Sequence, residues 1–251
     1  MNPEKKKIFC VGTAKSGTHS IHSIFQSVSK SAHEPENSDL IKQITDFYYQ
    51  HISEKDFRVY LRTRYQRLNL DVDSSQLNFF ILFFLLEEVE HAYYILTIRD
   101  CYTWLDSFIN HSLAFPAAEK WIRLRDIRFG KRYNTLPKEE KALMDLGLYS
   151  LEGYLQYWAK HNQKVISLVP ENKLLIIKTD KISESIQKIS DFSGYQLFNV
   201  TSDQTHVFKN PQKFNILRKI NEEYLEEKVK KYCSILMEQY FPEIKSINDV
   251  F

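Results

Sequence analysis

Gly12-Thr13-Ala14-Lys15-Ser16-Gly17-Thr18-His19-Ser20 follows the apolar run Ile8-Phe9-Cys10-Val11 and leads into apolar residues at Ile21, Ile24, Phe25 and Val28. The i, i+3, i+4, i+7 spacing marks one helical face, and the short run before the glycine reads as a buried strand. A glycine-bracketed turn between a strand and a helix N-terminus aims several backbone N–H groups at one point. The helix dipole adds partial positive charge there. Lys15 contributes a full charge, and Ser16, Thr18 and Ser20 contribute hydroxyls. The sequence predicts a cradle for a phosphate-like anion.

The turn is not a Walker A loop. That motif places its lysine directly after the second glycine and follows it with serine or threonine. Here Thr18 follows Gly17, and the lysine stands two residues before that glycine. A second feature lies further on, although its arginine, taken alone, reads as a surface or ion-pair residue. Tyr93 to Ile98 reads as a buried strand ending at Arg99, and Ser107 lies eight residues beyond Arg99 in a helical stretch. An arginine at a strand end can clamp a phosphate through two parallel hydrogen bonds, and a hydroxyl two turns into the next helix can point back at the same anion.

These two features resemble the donor site of sulfotransferases that use 3′-phosphoadenosine 5′-phosphosulfate (PAPS). Lys15-Ser16-Gly17-Thr18 resembles their 5′-phosphosulfate loop, and Arg99 with Ser107 resembles their 3′-phosphate grip. The resemblance implies the P-loop-type sulfotransferase fold. It also implies sulfuryl transfer from PAPS to an acceptor hydroxyl, with no metal ion and with 3′-phosphoadenosine 5′-phosphate (PAP) as the second product. Ser16, Gly17, Thr18, His19 and Ser20 are then expected to hold the 5′-phosphate, with Lys15 stabilising or protonating the departing oxygen. His33-Glu34-Pro35 resembles the glutamate-proline turn of carbohydrate sulfotransferases, which makes Glu34 the expected base and His33 the runner-up. Alternation along a strand points those two side chains to opposite sides.

The chain departs from the cytosolic aryl and steroid members of the family. They carry an adenine-stacking aromatic soon after the loop threonine, where this sequence has His19, Ser20 and Ile21. Their late Arg-Lys-Gly motif is replaced by Phe208-Lys209-Asn210-Pro211, where His206 and Lys209 are candidates to close over the cofactor. The closer likeness is to carbohydrate-type and bacterial sulfotransferases.

Composition narrows the alternatives. A net charge of +2 argues against a basic nucleic-acid coat. Three widely separated cysteines, Cys10, Cys101 and Cys233, provide neither a disulfide framework nor zinc spacing, and suit a reducing compartment. The longest apolar run, Phe79 to Leu86, is far short of the roughly 20 residues a bilayer span requires. A cytoplasmic protein without a membrane span is expected. Lys5-Lys6-Lys7 reads as a solvated approach to the first strand.

Further along, a weak strand is expected over Lys30–His33, and Ile41, Ile44, Tyr48 and Ile52 mark a helical face. Ser53-x-x-Asp56 reads as a cap. Leu68 to Val72 reads as a strand ending at Asp73-Ser74-Ser75, with Asp73 either orienting the acceptor or capping a turn. Gln76 to Glu90 reads as a deeply buried helix. Helices are expected over 117–129, 150–168, 182–189 and about 225–240, with a strand at Lys173–Ile177. Gly130 to Leu146 is the best candidate for a mobile segment. His22 and His111 read as packing residues.

Strands alternating with helices imply one α/β domain, a mostly parallel central sheet flanked by helices on both faces. Ligands of such sheets bind at the carboxyl edge, where both grips fall. The acceptor is expected to be a carbohydrate, a glycolipid or a small metabolite. Two other readings remain at this point. One is a P-loop nucleotide kinase or NTP-binding protein, with Tyr94 to Asp100 as a Walker B strand. The other is a non-catalytic nucleotide-binding module.

Overall fold

Alternation along the first strand decides how the chain layers itself. In β1 (Lys7–Cys10) Ile8 and Cys10 point to one side and Phe9 to the other, and all three are buried. A strand buried on both faces belongs in the middle of a parallel sheet. The computed structural model, which describes residues 6–132, 135–198, 200–205 and 212–251, shows that arrangement. In chain order the elements are β1, α1 (Thr18–Phe25), β2 (Ser31–His33), α2 (Asn37–Tyr48), α3 (Glu54–Leu68), β3 (Val72–Ser74), α4 (Leu82–Glu88) and β4 (Ala92–Ile98). There follow α5 (Cys101–Ala114), α6 (Glu119–Phe129), α7 (Lys141–Met144), α8 (Leu151–Leu168), β5 (Leu174–Lys178), α9 (Ile186–Ser193), α10 (Ser202–Thr205) and α11 (Glu222–Tyr240). The strands form one sheet in the order β2-β3-β1-β4-β5, and every pairing is parallel.

The chain divides into two compact units, Met1–Ile98 with Lys164–Lys209, and Arg99–Gln163 with Asn210–Phe251. The first unit holds the sheet. On one face Ile8, Cys10, Val72, Ile95, Leu175 and Ile177 meet Ile21, Ile24 and Phe25 of α1 and Ile189 of α9. On the other, Phe9 faces Leu61 of α3 and Phe84 and Leu85 of α4 around a small cavity. Burying each of these large side chains contributes about 1.5–3 kcal/mol. Helices therefore cover both faces, as the alternating pattern implies.

Several boundaries differ from the sequence reading, each for a local reason. α1 stops at Phe25, where the chain tightens into a turn: the Val28 amide donates to the Phe25 carbonyl three residues back, and the Ser29 hydroxyl shares that carbonyl; Val28 is left 40% exposed. Tyr48 is likewise exposed, so the buried face of α2 is Leu40, Ile41 and Ile44. The Leu68–Val72 alternation is not a strand. α3 continues to Leu68, Asn69 ends it in the left-handed region (φ 41°), and the strand begins only at Val72. Gln76–Ile81 winds as a 3-10 helix before α4, with Ser75 accepting from the Leu77 amide. Phe79, Phe80 and Phe83 are only half-buried, so this stretch is less deeply sunk than its composition suggests. Lys6 and Lys7 are not merely solvated: their amines donate to the Phe192 and Leu70 carbonyls.

The second unit is helical. Phe108 of α5 packs with Trp104, Phe129 and Tyr154, and the Cys101 amide donates to Met237 Sδ of α11. Within the stretch expected to be mobile, buried Glu140 accepts from the Leu151 amide at 2.8 Å and from Tyr224 Oη at 2.7 Å, capping the start of α8.

Candidate active site

The loop after β1 sits at the carboxyl edge of the sheet. Gly12 is required there by crowding, since a Cβ would lie 2.1 Å from Thr97 Oγ1. Lys15 and Gly17 both take positive φ (65° and 106°), which turns the chain sharply into α1. Glycine accepts that conformation without penalty; lysine does not, and such strain is held in place by its surroundings. The surroundings are explicit. Ser16 Oγ donates to the Thr13 carbonyl at 2.7 Å and lies 3.0 Å from Thr97 Oγ1. Thr179 Oγ1 lies 2.6 Å from the Ser16 carbonyl and 3.1 Å from the Ile98 carbonyl, and Ser74 Oγ donates to the Thr18 carbonyl.

Gly17 is the N-cap of α1 and brings no side-chain cap. The first bond of α1 runs from the Ile21 amide to the Gly17 carbonyl, so the helix itself does not use the amides ahead of Ile21 in its first turn. Of the expected 5′-phosphate residues, Ser16 is fully buried and serves the loop's own fold. Ser20 Oγ donates to the Thr205 carbonyl, fastening α10 to α1. Both hydroxyls are thus engaged within the protein. Lys15 is half-buried.

The end of β2 meets this loop. His33 Nε2 lies 3.1 Å from Thr18 Oγ1, and its ring stacks on His19 with centroids 3.6 Å apart. Burial, then the neighbouring His19 and His22, push the His33 pKa down to about 3, so the ring is neutral at physiological pH. His19 is lowered by burial, then by His22 and Lys15; burial lowers His22, whose Nδ1 lies 2.9 Å from Ser31 Oγ. Among the described residues no group of three His, Cys, Asp or Glu side chains is arranged to hold a metal ion.

Glu34 follows immediately, off the strand and in the left-handed region (φ 47°), with its amide donating to the Ser74 carbonyl. Its Oε1 accepts from Gln76 Nε2 at 2.6 Å. Two arginines of α3 hold the turn: Arg64 Nη2 donates to the Pro35 carbonyl, and Arg67 grips Glu36 through two hydrogen bonds of 3.0 and 2.7 Å. Asp73 is buried within β3. Its carboxylate faces α3, 3.5 Å from Arg64 Nη1, and accepts from Asn78; burial raises its pKa while Arg64 and Asn78 oppose the rise.

Arg99 follows Ile98 by one peptide bond. Within the second unit Arg99 Nε lies 2.9 Å from Thr103 Oγ1, and Trp158 Nε1 donates to the Arg99 carbonyl. Thr103 and Ser107 are four residues apart on α5 and so share a face, which places Arg99 and Ser107 along one line of the helix. Asp100, the residue a Walker B reading needs for a metal, instead caps α5 by accepting from the Thr103 amide at 2.8 Å. His111 packs against Phe115. His206, Lys209 and the Phe208–Pro211 segment lie outside the described residues.

Sequence reasoning missed Thr97, Thr179, Ser74, Gln76 and Thr103, the residues that shape the loop, hold Glu34 and aim Arg99. Only Thr103 left a signal, the Asp100-x-x-Thr103 capping pattern. The others act across the sheet from distant positions.

A glycine-bracketed, lysine-bearing anion loop at the carboxyl edge of a parallel sheet defines a P-loop-like α/β protein. A family model described as a sulfotransferase domain matches residues 7–197, and the chain belongs to that family. No curated protein matches the chain. No described helix is long and apolar enough to cross a membrane.

Proposed function

We propose that the protein transfers a sulfuryl group from PAPS to a hydroxyl of a carbohydrate, glycolipid or small metabolite, with Glu34 as the base. The observation that carries this reading is the join between loop and strand end. The His33 ring touches the Thr18 hydroxyl of the anion loop at 3.1 Å, so Glu34, one residue on, lies at the same edge of the sheet as the cradle.

The residues present suit the donor. The loop offers a helix N-terminus and a lysine. When bound, PAPS supplies an activated sulfuryl group and a phosphate that departs. The amides of Gly17 to Ser20 hold the 5′-phosphate, and Lys15 balances charge that grows on the departing oxygen. Arg99 and Ser107 take the 3′-phosphate. Glu34 accepts the acceptor's hydroxyl proton as that oxygen attacks in line. His33, whose pKa burial and then its histidine neighbours lower to about 3, is the second candidate; its Nε2 lies 3.1 Å from the Thr18 hydroxyl. We read the whole chain as one sulfotransferase domain. Three buried free thiols support a reducing, cytoplasmic setting.

The test is sulfuryl transfer from labelled PAPS across an acceptor panel. Glu34→Gln is expected to lower kcat by about 10²–10⁴ while leaving PAP affinity intact. A Glu34→Gln enzyme with unchanged kcat would remove Glu34 from the chemistry.

A further inference from the structure

Thr103, Asp106, Ser107 and Asn110 stand three and four residues apart on α5 and therefore share one face of the helix. Buried Asn110 ties two elements together there. Its Nδ2 donates to Asp106 Oδ2 at 2.8 Å, and its Oδ1 accepts from the Phe214 amide at 2.8 Å. The second bond lays the segment around Phe214 along α5 and brings Lys213 to the side of Asp106. A cavity of about 510 Å³ opens there, lined by Asp106, Lys213 and Asn215 together with the apolar Leu217 and Val250. That volume is in the range of small-molecule sites. All of these residues, like Arg99, belong to the second unit.

This face sets opposite chemistries side by side. Arg99 Nε lies 2.9 Å from Thr103 Oγ1, one turn before Asp106, and Lys213 supplies a second cation. Asp106 is half-buried. One of its carboxylate oxygens accepts from Asn110, and the other accepts from no described residue. Burial raises its pKa, while the bond from Asn110 and the charges of Lys213 and Arg99 oppose the rise. A bare phosphate would satisfy the cations but be repelled by the carboxylate. A phosphate with a hydroxyl on the next carbon satisfies both, since the hydroxyl donates to the oxygen that is left over. The 3′-phosphate end of PAPS has that pattern, because the ribose 2′-hydroxyl stands on the neighbouring carbon.

We infer that Asp106 accepts a hydrogen bond from the ribose 2′-hydroxyl of the donor, so that the site demands a hydroxyl beside the 3′-phosphate. Acidic side chains read ribose in the same way in dinucleotide-binding folds. The inference rests on the assignment of Arg99 and Ser107 to the 3′-phosphate. Asp106 adds specificity to that grip, and Lys213 offsets the carboxylate's charge beside the phosphate.

Calorimetric titration of the whole protein with PAP and with 2′-deoxyadenosine 3′,5′-bisphosphate tests this. The wild type should bind the deoxy compound about tenfold or more weaker than PAP. Asp106→Ala should bind the two equally, because the group that tells them apart is gone. A substitution that only disturbed α5 would weaken both and keep the wild-type ratio. Equal affinities in the wild type, or an unchanged ratio in Asp106→Ala, would overturn the inference and leave the donor assignment standing. Failure of the wild type to bind PAP at all would overturn both. The wild-type comparison decides by itself if Asp106→Ala does not fold.

Discussion

Gly12→Ala places a methyl group where the structure has no room for one. The added carbon would stand 2.1 Å from Thr97 Oγ1, 2.5 Å from Ser16 Oγ and 2.8 Å from the Thr97 carbonyl oxygen. The two hydroxyls are 3.0 Å apart and fully buried, so moving either breaks their bond without admitting water. Rotating Thr97 relieves the first contact only. Its carbonyl belongs to β4, which is paired to β1 on one side and β5 on the other and cannot retreat. Overpacking of this kind costs about 1–3 kcal/mol, and a buried hydroxyl left without its partner adds about 1–3 kcal/mol. A loss of about 4 kcal/mol is expected, close to a thousandfold in the folding equilibrium. Urea denaturation followed by far-UV circular dichroism measures it. Gly147→Ala is the control, since Gly147 has φ 63° but nothing within 4 Å of the added carbon, and it should cost only about 1 kcal/mol. If Gly12→Ala is no more destabilising than Gly147→Ala, the crowding that shapes the loop is not real.

Other expectations follow from the same edge of the sheet. Asp73→Asn removes the nearer of two carboxylates that face buried Arg64, leaving Glu36 at 3.8 Å, and should cost about 1–3 kcal/mol in the same denaturation assay; no measurable change would show that the Asp73 pair contributes nothing. His33 is held neutral when folded, with a pKa of about 3 against an ordinary 6.5, so the unfolded chain binds the extra proton. Its contribution is therefore fully present above pH 6.5 and is lost as pH falls toward 3, about 2–3 kcal/mol by pH 4. A His33→Asn variant should show a flatter decline, and parallel curves for the two proteins would contradict the buried neutral ring. Arg67→Ala frees the Glu36 carboxylate from its paired hydrogen bonds and should loosen the turn carrying Glu34. The expected result is kcat several-fold lower with the melting temperature nearly unchanged, whereas an unaffected kcat would argue that the turn holds itself.

Much of the architecture was legible because it is local. Ile8-Phe9-Cys10-Val11, the glycine turn and the Ile21/Ile24/Phe25 spacing fix β1, the loop and α1 within about twenty residues. The parallel sheet followed from strands alternating with helices. Errors arose where two local patterns coincide: Leu68, Leu70 and Val72 alternate like a strand, but the first belongs to α3 and Asn69 turns the chain between them. The site was legible only in part. Lys15 and Glu34 stand in recognisable short motifs, but Thr97, Thr179 and Gln76 contribute through contacts between segments separated by 42 to 163 residues. No window along a single sequence displays those. The pairing of Asp73 with Arg64 was not legible for the same reason, since Arg64 is supplied by another element.

The donor assignment meets its most direct test in calorimetric titration of the wild-type protein with PAP beside ATP. Selective binding of PAP is expected, about tenfold or more weaker in Arg99→Ala and in Lys15→Ala, with no requirement for Mg²⁺. Equal affinity for ATP, or PAP affinity untouched by both substitutions, would contradict a PAPS site built on the Lys15 loop and Arg99.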